Sequence, residues 1–193
     1  MKSHEIYFFE PVELEIRDFP VTGHILDIGG GGEGIIGRLK GKNVVSIDRR
    51  EDELLEAPRG PLKVVMDAGQ LGFPDSTFSV ATAFFSFMYF EKTGDIKAAL
   101  AEIFRVLRPG GVLHLWDINI TKRPDTEKEI FAVRLKCFVK GQVCETAYGR
   151  PWLKENRDSA FCRRLAEARG FRHIQTRKTK RVFHSSFRKP EKP

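Results

Sequence analysis

The stretch ILDIGGGGEGII, residues 25–36, decides the fold. It runs from a short apolar segment through consecutive glycines into residues with helical spacing, which indicates a strand, a loop without side chains and a helix. A ligand can approach the main-chain amides of such a loop closely, so the pattern favours a nucleotide or nucleoside site. Gly29, Gly31 and Gly34 also have the spacing of dinucleotide-binding folds, and the glycines by themselves leave the cofactor class open.

Further apolar runs follow this stretch and alternate with helical patterns. A helix is predicted over residues 95–107, and Arg108-Pro109-Gly110-Gly111 is expected to end it and to turn the chain. Strands and helices in this order predict an α/β fold with a doubly wound, mostly parallel sheet that binds ligands at the carboxyl ends of its strands. The predicted strands cover residues 25–28, 44–47, 64–66, 78–85 and 112–118.

The segments on either side of this core, residues 24–119, have different patterns. Apolar and charged residues alternate around Val12, Leu14 and Ile16, which predicts an extended N-terminal segment within residues 1–22. Near the C-terminus, residues 156–187, the pattern predicts a helix and then two strands. Their predicted bounds are 156–169, 171–177 and 181–187.

Residues 129–149 are interpreted as an inserted β-hairpin that turns at Lys140-Gly141. This register places Cys137 opposite Cys144 and pairs Lys136 with Glu145, two opposite charges that support the assignment. A disulfide between the two cysteines is geometrically possible but disfavoured in a reducing compartment. The hairpin either covers the binding cleft as a lid, or extends the sheet or forms a dimer contact, and the pattern leaves these alternatives open.

Length and composition limit the class of protein. With 193 residues, one domain covering 1–193 is expected, as a monomer or a homodimer. No apolar run reaches the ~18–20 residues of a membrane-spanning helix and no secretory signal pattern is present, so a cytoplasmic protein without membrane contact is expected. The three cysteines, Cys137, Cys144 and Cys162, have no spacing suited to metal ligands, and no metal is expected.

The net charge of +7 is concentrated at one end of the chain. Residues 150–193 contain 14 of the 33 lysines and arginines but 4 of the 26 acidic residues. Such a segment either attracts an anionic partner such as RNA or forms an ordinary solvated surface.

Three aspartates stand at the ends of predicted strands. Asp27 precedes the glycines, and Asp48 closes the next strand, where an acidic side chain can accept hydrogen bonds from ribose hydroxyls. Asp67-Ala68 closes the third strand and is followed by LGFPDSTFSV, a turn into the fourth. Asp27 could instead tie down the glycine loop, and Asp67 could cap its turn, because Asp commonly binds neighbouring amides.

Four segments together resemble the class I S-adenosylmethionine-dependent methyltransferases, particularly the small-molecule, type 11-like group that includes quinone-biosynthesis enzymes. The segments are ILDIGGGGEGIIGRL, VVSIDRR, VVMDAGQLGFPDSTFSVATAFFSFMYF and ALAEIFRVLRPGGVLHLWDI. The resemblance covers residues 24–119 and continues to the C-terminus in element order alone. It implies a Rossmann-like, seven-stranded sheet with an antiparallel last strand, and S-adenosylmethionine as co-substrate.

The resemblance also implies roles for individual residues. The methionine side would be lined by Asp27, Gly29 and Gly31, the ribose bound by Asp48, the adenine contacted by Asp67 and Ala68, and the methyl group bordered by Phe85 and Ser86. In one place the sequence departs from the family pattern, because Glu33 occupies the position of the last glycine of the loop and Gly34 follows it. Either the loop contains an extra residue or its final glycine has moved.

Methyl transfer from a sulfonium is an in-line displacement, so the enzyme mainly aligns the acceptor in a water-poor pocket. A hydroxyl or carbon acid would benefit from a base, and the candidates are Tyr89, Glu91, His114 and Asp117. Of these, His114 lies inside a predicted strand and is expected to be a packed residue, and Tyr89 could equally be part of the pocket wall. The Asn/Asp-Pro-Pro-aromatic element of amino-group methyltransferases that act on adenine or glutamine does not follow the fourth strand. The Pro-Cys pair that supplies the nucleophile of cytosine-5 methyltransferases is also missing. These features favour a small-molecule acceptor, with selectivity expected at the hairpin and around Trp116 and Trp152.

The sequence pattern has three alternative interpretations. An RNA methyltransferase would use the basic C-terminal quarter, and a partner protein without turnover would explain the altered glycine loop. A dehydrogenase is disfavoured because none of the three tyrosines starts a YxxxK pair.

Overall fold

The computed structural model describes residues 5–119, 122–179 and 181–191, so the first four residues of the predicted N-terminal segment lie outside it. The helices of this described part are α1 (Ile35–Lys40), α2 (Glu51–Glu56), α3 (Thr93–Val106) and α4 (Ser159–Arg169). Its strands are β1 (Ile6–Phe8), β2 (Val12–Glu15), β3 (Ile25–Ile28), β4 (Val44–Asp48), β5 (Leu62–Val65), β6 (Phe78–Phe84), β7 (Leu107–Ile118), β8 (Ile130–Val139), β9 (Gln142–Pro151), β10 (Arg172–Lys178) and β11 (Val182–Arg188).

Seven strands form the main sheet, in the order β10-β11-β7-β6-β3-β4-β5. The five strands from β3 to β7 are parallel to one another, whereas β11 is antiparallel to both β7 and β10. The predicted Rossmann-like α/β fold with an antiparallel last strand is therefore confirmed. Because parallel strands end at the same edge, the residues after β3, β4 and β6 meet there.

A second, smaller sheet is built around β8. β1 and β2 lie one after the other along one edge of β8, both parallel to it, and β9 pairs with the opposite edge. The predicted hairpin is confirmed in its register, with Cys137 opposite Cys144 and Lys136 opposite Glu145. Its strands belong to this smaller sheet and not to the main one. All three cysteines are free thiols.

Different layers cover the two faces of the main sheet. Helices α3 and α4 pack on one face, with Ile96, Leu100 and Ile103 of α3 in the core. The other face is covered by α1 and by the inner face of β8, where Phe131, Val133, Leu135, Cys137 and Val139 are all buried. The period-two pattern of β8 thus supplies apolar cover that a helix commonly supplies in doubly wound folds.

The predicted turn at Arg108-Pro109-Gly110-Gly111 is wrong. The helix ends at Val106, and the next residues already belong to β7, where the four residues 108–111 lie opposite Ser79 of β6. Gly110 has a φ of 77°, and its N–H donates to the carbonyl of Lys189 at 2.9 Å. This segment is therefore a bulged strand that pairs with the residues after β11.

Two predicted boundaries also shift. Helix α4 starts at Ser159 and not at 156, because the carboxylate of Asp158 caps it by accepting the Phe161 amide at 2.8 Å. Strand β5 starts at Leu62 because its pairing with β4 begins there.

None of the helices in the described ranges has the length and apolar character needed to cross a bilayer.

Candidate active site

A cleft of about 1030 Å³ opens at the carboxyl ends of β3, β4 and β6. Its walls come from the glycine loop after β3, the start of α2, the turn after β5, the segment after β6 and strand β9. Six of the eight predicted cofactor residues line it, namely Gly29, Gly31, Asp48, Ala68, Phe85 and Ser86.

The glycine loop is packed too closely for side chains. A Cβ on Gly29 would lie 2.5 Å from the Cβ of Ser86, and a Cβ on Gly31 would lie 2.6 Å from the Cβ of Glu53. The loop is held by its own amides, since Gly29 and Gly30 donate to the carbonyl of Ile47 at 2.8 and 3.0 Å. The glycines therefore let the main chain form the floor of the cleft.

Two polar side chains at the floor of the cleft indicate a ligand-binding site. The hydroxyl of Ser86 is buried and has no hydrogen-bond partner, which is uncommon for a buried polar group. The carboxylate of Asp48 lines the cleft beside Gly31 and accepts the Arg50 amide at 3.0 Å through one oxygen. Both can bind a polar ligand without breaking the fold.

The other two predicted cofactor residues do not line the cleft. Asp27 is buried beneath the loop, where it accepts a 2.7 Å hydrogen bond from Thr82, and burial raises the pKa of its carboxyl group to about 7. Asp67 accepts the Gly69 amide at 2.7 Å and pairs with Arg49 at 3.6 Å. In this structure Asp27 supports the loop and Asp67 holds the turn that presents Ala68.

Strand β9 of the hairpin forms one wall of the cleft through Tyr148 and its neighbours. Tyr148 stacks on Phe85 with ring centroids 4.8 Å apart and planes at 13°. Its hydroxyl donates to the carboxylate of Glu33 at 3.3 Å, and the hydroxyl of Thr146 donates to the same carboxylate. Glu33, the departure from the family pattern, therefore connects the glycine loop to the hairpin.

This wall also has contacts with the segment after β6. Arg150 donates to the carbonyl of Phe90 at 3.0 Å and to that of Met88. Gly149 donates its amide to the hydroxyl of Tyr89 at 3.3 Å. The hairpin is thus joined to two opposite rims of the cleft.

Sequence reasoning did not include Tyr148 in the site, although the predicted register contained the signal. The register places Thr146 opposite Leu135 and Tyr148 opposite Val133, so all four share one face. Val133 and Leu135 are apolar and inward-facing, so Tyr148 must also face the interior.

The comparison with family models identifies this arrangement. Residues 26–115 match the model of a methyltransferase domain. This match, together with the fold, supports a class I S-adenosylmethionine-dependent methyltransferase. The co-substrate of this class is S-adenosylmethionine.

Solved structures show the same fold at low sequence identity. A methyltransferase from Methanosarcina mazei has a TM-score of 0.65 and 18% identity, covering 90% of this chain and 95% of that one. One from Mesorhizobium loti has a TM-score of 0.62 and 16% identity, covering 88% and 93%. A putative methyltransferase from Bacillus halodurans has a TM-score of 0.61 and 18% identity, covering 88% and 94%. No curated protein sequence matches the chain.

Two of the four base candidates line the cleft. Tyr89 is 48% exposed, and burial of its hydroxyl end raises its pKa above the ordinary value, so it is a phenol near neutral pH. Glu91 lies at the same rim. A phenol here can orient an acceptor but is a poor base.

The other two candidates lie outside the cleft. Asp117 is buried, and its carboxylate accepts the amides of Met88 and Ile118 at 2.8 and 2.7 Å. Burial raises the pKa of Asp117 to about 7. His114 is packed against Phe19 inside β7, and desolvation lowers its pKa to about 4.

Across residues 5–119, 122–179 and 181–191, no group of three or more His, Cys, Asp or Glu side chains is arranged to hold a metal ion.

Proposed function

We propose that this methyltransferase transfers the methyl group of S-adenosylmethionine to a small-molecule acceptor held between the segment after β6 and strand β9. The observation that carries the proposal is the cleft itself, which is about 1030 Å³ in volume and has rings of Phe85, Tyr89 and Tyr148 at one end. Sites for drug-sized ligands are typically ~300–1,000 Å³ and mostly apolar. The cleft has room for the co-substrate and a small acceptor together.

The chain's residues fit the co-substrate at the other end of the cleft. We assign the ribose to Asp48, the adenine to the main chain at Ala68 and the methionine side to the loop surface at Gly29 and Gly31. The unpartnered hydroxyl of Ser86 supplies a further polar contact. We assign Asp27 and Asp67 to positioning, because both bind main chain or side chains around the cleft.

The bound co-substrate supplies an electrophilic methyl group with a neutral thioether as leaving group. The protein then needs mainly to align the acceptor and to exclude water. Phe84, Phe85 and Tyr148 pack together beside the predicted methyl position and are suited to both tasks.

Calorimetry with S-adenosylhomocysteine tests the cofactor assignment. Asp48→Ala is expected to weaken binding by ~1–3 kcal/mol, because charged hydrogen bonds to the ribose are lost. Asp125→Ala, at an exposed aspartate outside the cleft, is the matched control and is expected to bind like the wild type. Equal affinities of Asp48→Ala and the control would rule out the assignment of Asp48.

Transfer of a labelled methyl group tests the acceptor class. Extract is separated into small-molecule and RNA fractions, and each is incubated with the enzyme and methyl-labelled S-adenosylmethionine. Label is expected in the small-molecule fraction. Label confined to RNA would instead support the second candidate, an RNA methyltransferase, which the exposed basic residues of α4 and β10 favour.

A further inference from the structure

The acceptor end of the cleft is defined here as the rings of Phe85, Tyr89 and Tyr148 with the carboxylates of Glu33 and Glu91. Tyr148 and Phe85 form a stacked pair, and Tyr89 approaches from the opposite rim through its bond to Gly149. Aromatic faces carry negative partial charge, so such a group of rings attracts cations.

Acidic groups predominate in the lining of the whole cleft. Two lining cations, Arg49 and Arg50, are already paired: Arg49 with Asp67 at 3.6 Å, and Arg50 with Asp52 and with Glu53 at 3.1 Å. The lining carboxylates are Glu33, Asp48, Glu53, Glu91 and Asp95.

Glu33 and Glu91 are the lining carboxylates that belong to the acceptor end. Within the part of the chain that the structure describes, neither forms an ion pair. Glu33 is partly buried and accepts bonds from neutral hydroxyls, of Thr146 and Tyr148. Negative charge without an ion-pair partner among the described residues therefore lies beside the rings, in a chain whose net charge is +7.

Three arginines lie near the acceptor end, but they bind main-chain carbonyls and not the carboxylates of Glu33 and Glu91. Arg38 donates to the main-chain carbonyl of Glu33 at 2.7 Å, and Arg157 donates to that of Glu91 at 2.9 Å. Arg150 donates to the carbonyl of Phe90 at 3.0 Å. None of the three lines the cleft among the described residues, so the surface that faces an acceptor remains acidic.

We infer that the acceptor is an amine that enters as an ammonium ion attached to an aromatic or other apolar body. This rests on the proposed function and specifies its substrate class. The rings bind the ammonium and the apolar body, and the carboxylate of Glu33 pairs with the charge. An anionic acceptor is disfavoured because it would face two unpaired carboxylates.

The chemistry of transfer is consistent with this class. The ammonium first loses a proton, which the exposed carboxylate of Glu91 can receive and pass to water. The nitrogen lone pair then forms the N–C bond while the C–S bond breaks and its electron pair stays on sulfur. The products are a methylated ammonium ion and neutral S-adenosylhomocysteine.

The positive charge that this end attracts could also be that of the methyl donor. Saturating the protein with S-adenosylhomocysteine separates the two sources, because this product lacks the sulfonium charge. Three probes of the same shape are then compared by calorimetry: phenethylamine, phenethyl alcohol and hydrocinnamate. The amine is expected to bind about tenfold more tightly than the alcohol, and hydrocinnamate more weakly than both.

Glu33→Gln removes the charge of the carboxylate but keeps an acceptor for the hairpin hydroxyls. It is expected to reduce the preference for the amine about fivefold or more, with affinity for S-adenosylhomocysteine within about twofold of the wild type. Glu145→Gln, on the exposed face of the same hairpin, is the matched control and is expected to keep the full preference.

Two results would overturn the inference. One is binding of the alcohol or the acid as tight as that of the amine, and the other is an unchanged preference in Glu33→Gln. In both cases S-adenosylhomocysteine still binds, whereas loss of its binding to the wild-type protein would contradict the proposed function itself.

Discussion

At the residue scale, a pair of histidines on the main sheet is held in the neutral form. The rings of His114 and His184 face each other across β7 and β11, with Nδ1 of one 3.1 Å from Nε2 of the other. His184 stacks on Trp116 at 4.0 Å, and Ser186 lies 3.0 Å from His114. Desolvation lowers the pKa of His114 to about 4 and that of His184, also close to Arg177, to about 3.

These shifts predict a loss of stability in acid. The pKa of each histidine is about 6.5 in the unfolded chain, so between pH 6.5 and 4 the unfolded state binds more protons and stability falls as the pH falls. The free energy of unfolding of the wild type, relative to that of His184→Gln, is expected to decrease by about 1–2 kcal/mol from pH 7 to pH 5. Urea unfolding at the two pH values measures this difference.

Comparing variants is necessary because buried carboxyl groups act in the opposite direction. The pKa of Asp27 is raised to about 7, so its contribution to stability falls as the pH rises from its unfolded value of 3.8. His24→Gln, at an exposed histidine, is the matched control. Its free energy of unfolding is expected to change between the two pH values by the same amount as that of the wild type. An equal difference between the wild type and His184→Gln at both pH values would contradict the prediction.

At the element scale, the register within the hairpin could be predicted from the sequence, but its pairing with β1 and β2 could not. Its turn and register follow from Lys140-Gly141, because two-residue turns fix strand pairing locally. The parallel pairing of β8 with β1 and β2 joins residues more than a hundred positions apart, and no local pattern specifies it. The link from Glu33 to Thr146 is equally distant in sequence and depends on that packing.

The same distinction applies to the cleft. Six residues of the cleft could be predicted from the strand ends and the glycines, because the carboxyl ends of parallel strands meet at one edge of the sheet. Asp27 was placed correctly at the end of β3, but whether its side chain points into the cleft or under the loop depends on Thr82 of the neighbouring strand. The orientation of the Asp27 side chain therefore cannot be predicted from a single sequence.

Glu33→Gly, which restores the glycine of the family pattern, tests the connection between loop and hairpin. Without the carboxylate, Thr146 and Tyr148 lose their acceptor, and amide hydrogen exchange in residues 146–149 is expected to become about tenfold faster, equivalent to ~1–2 kcal/mol of local stability. Thr146→Val removes one of the two bonds and should have an intermediate effect. Unchanged exchange in both variants would show that the packing of Tyr148 alone holds the wall.

At the scale of the whole molecule, charge is separated between an acidic cleft and a basic edge. Strand β10 lies at one edge of the main sheet, and it exposes Arg172, Arg177 and Lys178. Strands β11 and β7 separate it from β6, at whose end the cleft lies. A polyanion attracted by β10 would meet carboxylates if it continued into the cleft, so we expect that the two regions do not form one surface for RNA.

This separation predicts that the basic edge is dispensable for methyl transfer to a small acceptor. Replacing Arg172, Arg177 and Lys178 together with Gln is expected to leave kcat/KM for the small acceptor within about twofold of the wild type, because these exposed charges are largely screened from the cleft by salt. The Glu33→Gln variant, assayed in parallel, should lower kcat/KM for an amine acceptor. An RNA methyltransferase would behave differently: the triple variant would lose transfer to RNA and the remaining activity would fall less steeply with salt. Loss of small-molecule turnover in the triple variant would show that the edge and the cleft act together on one substrate.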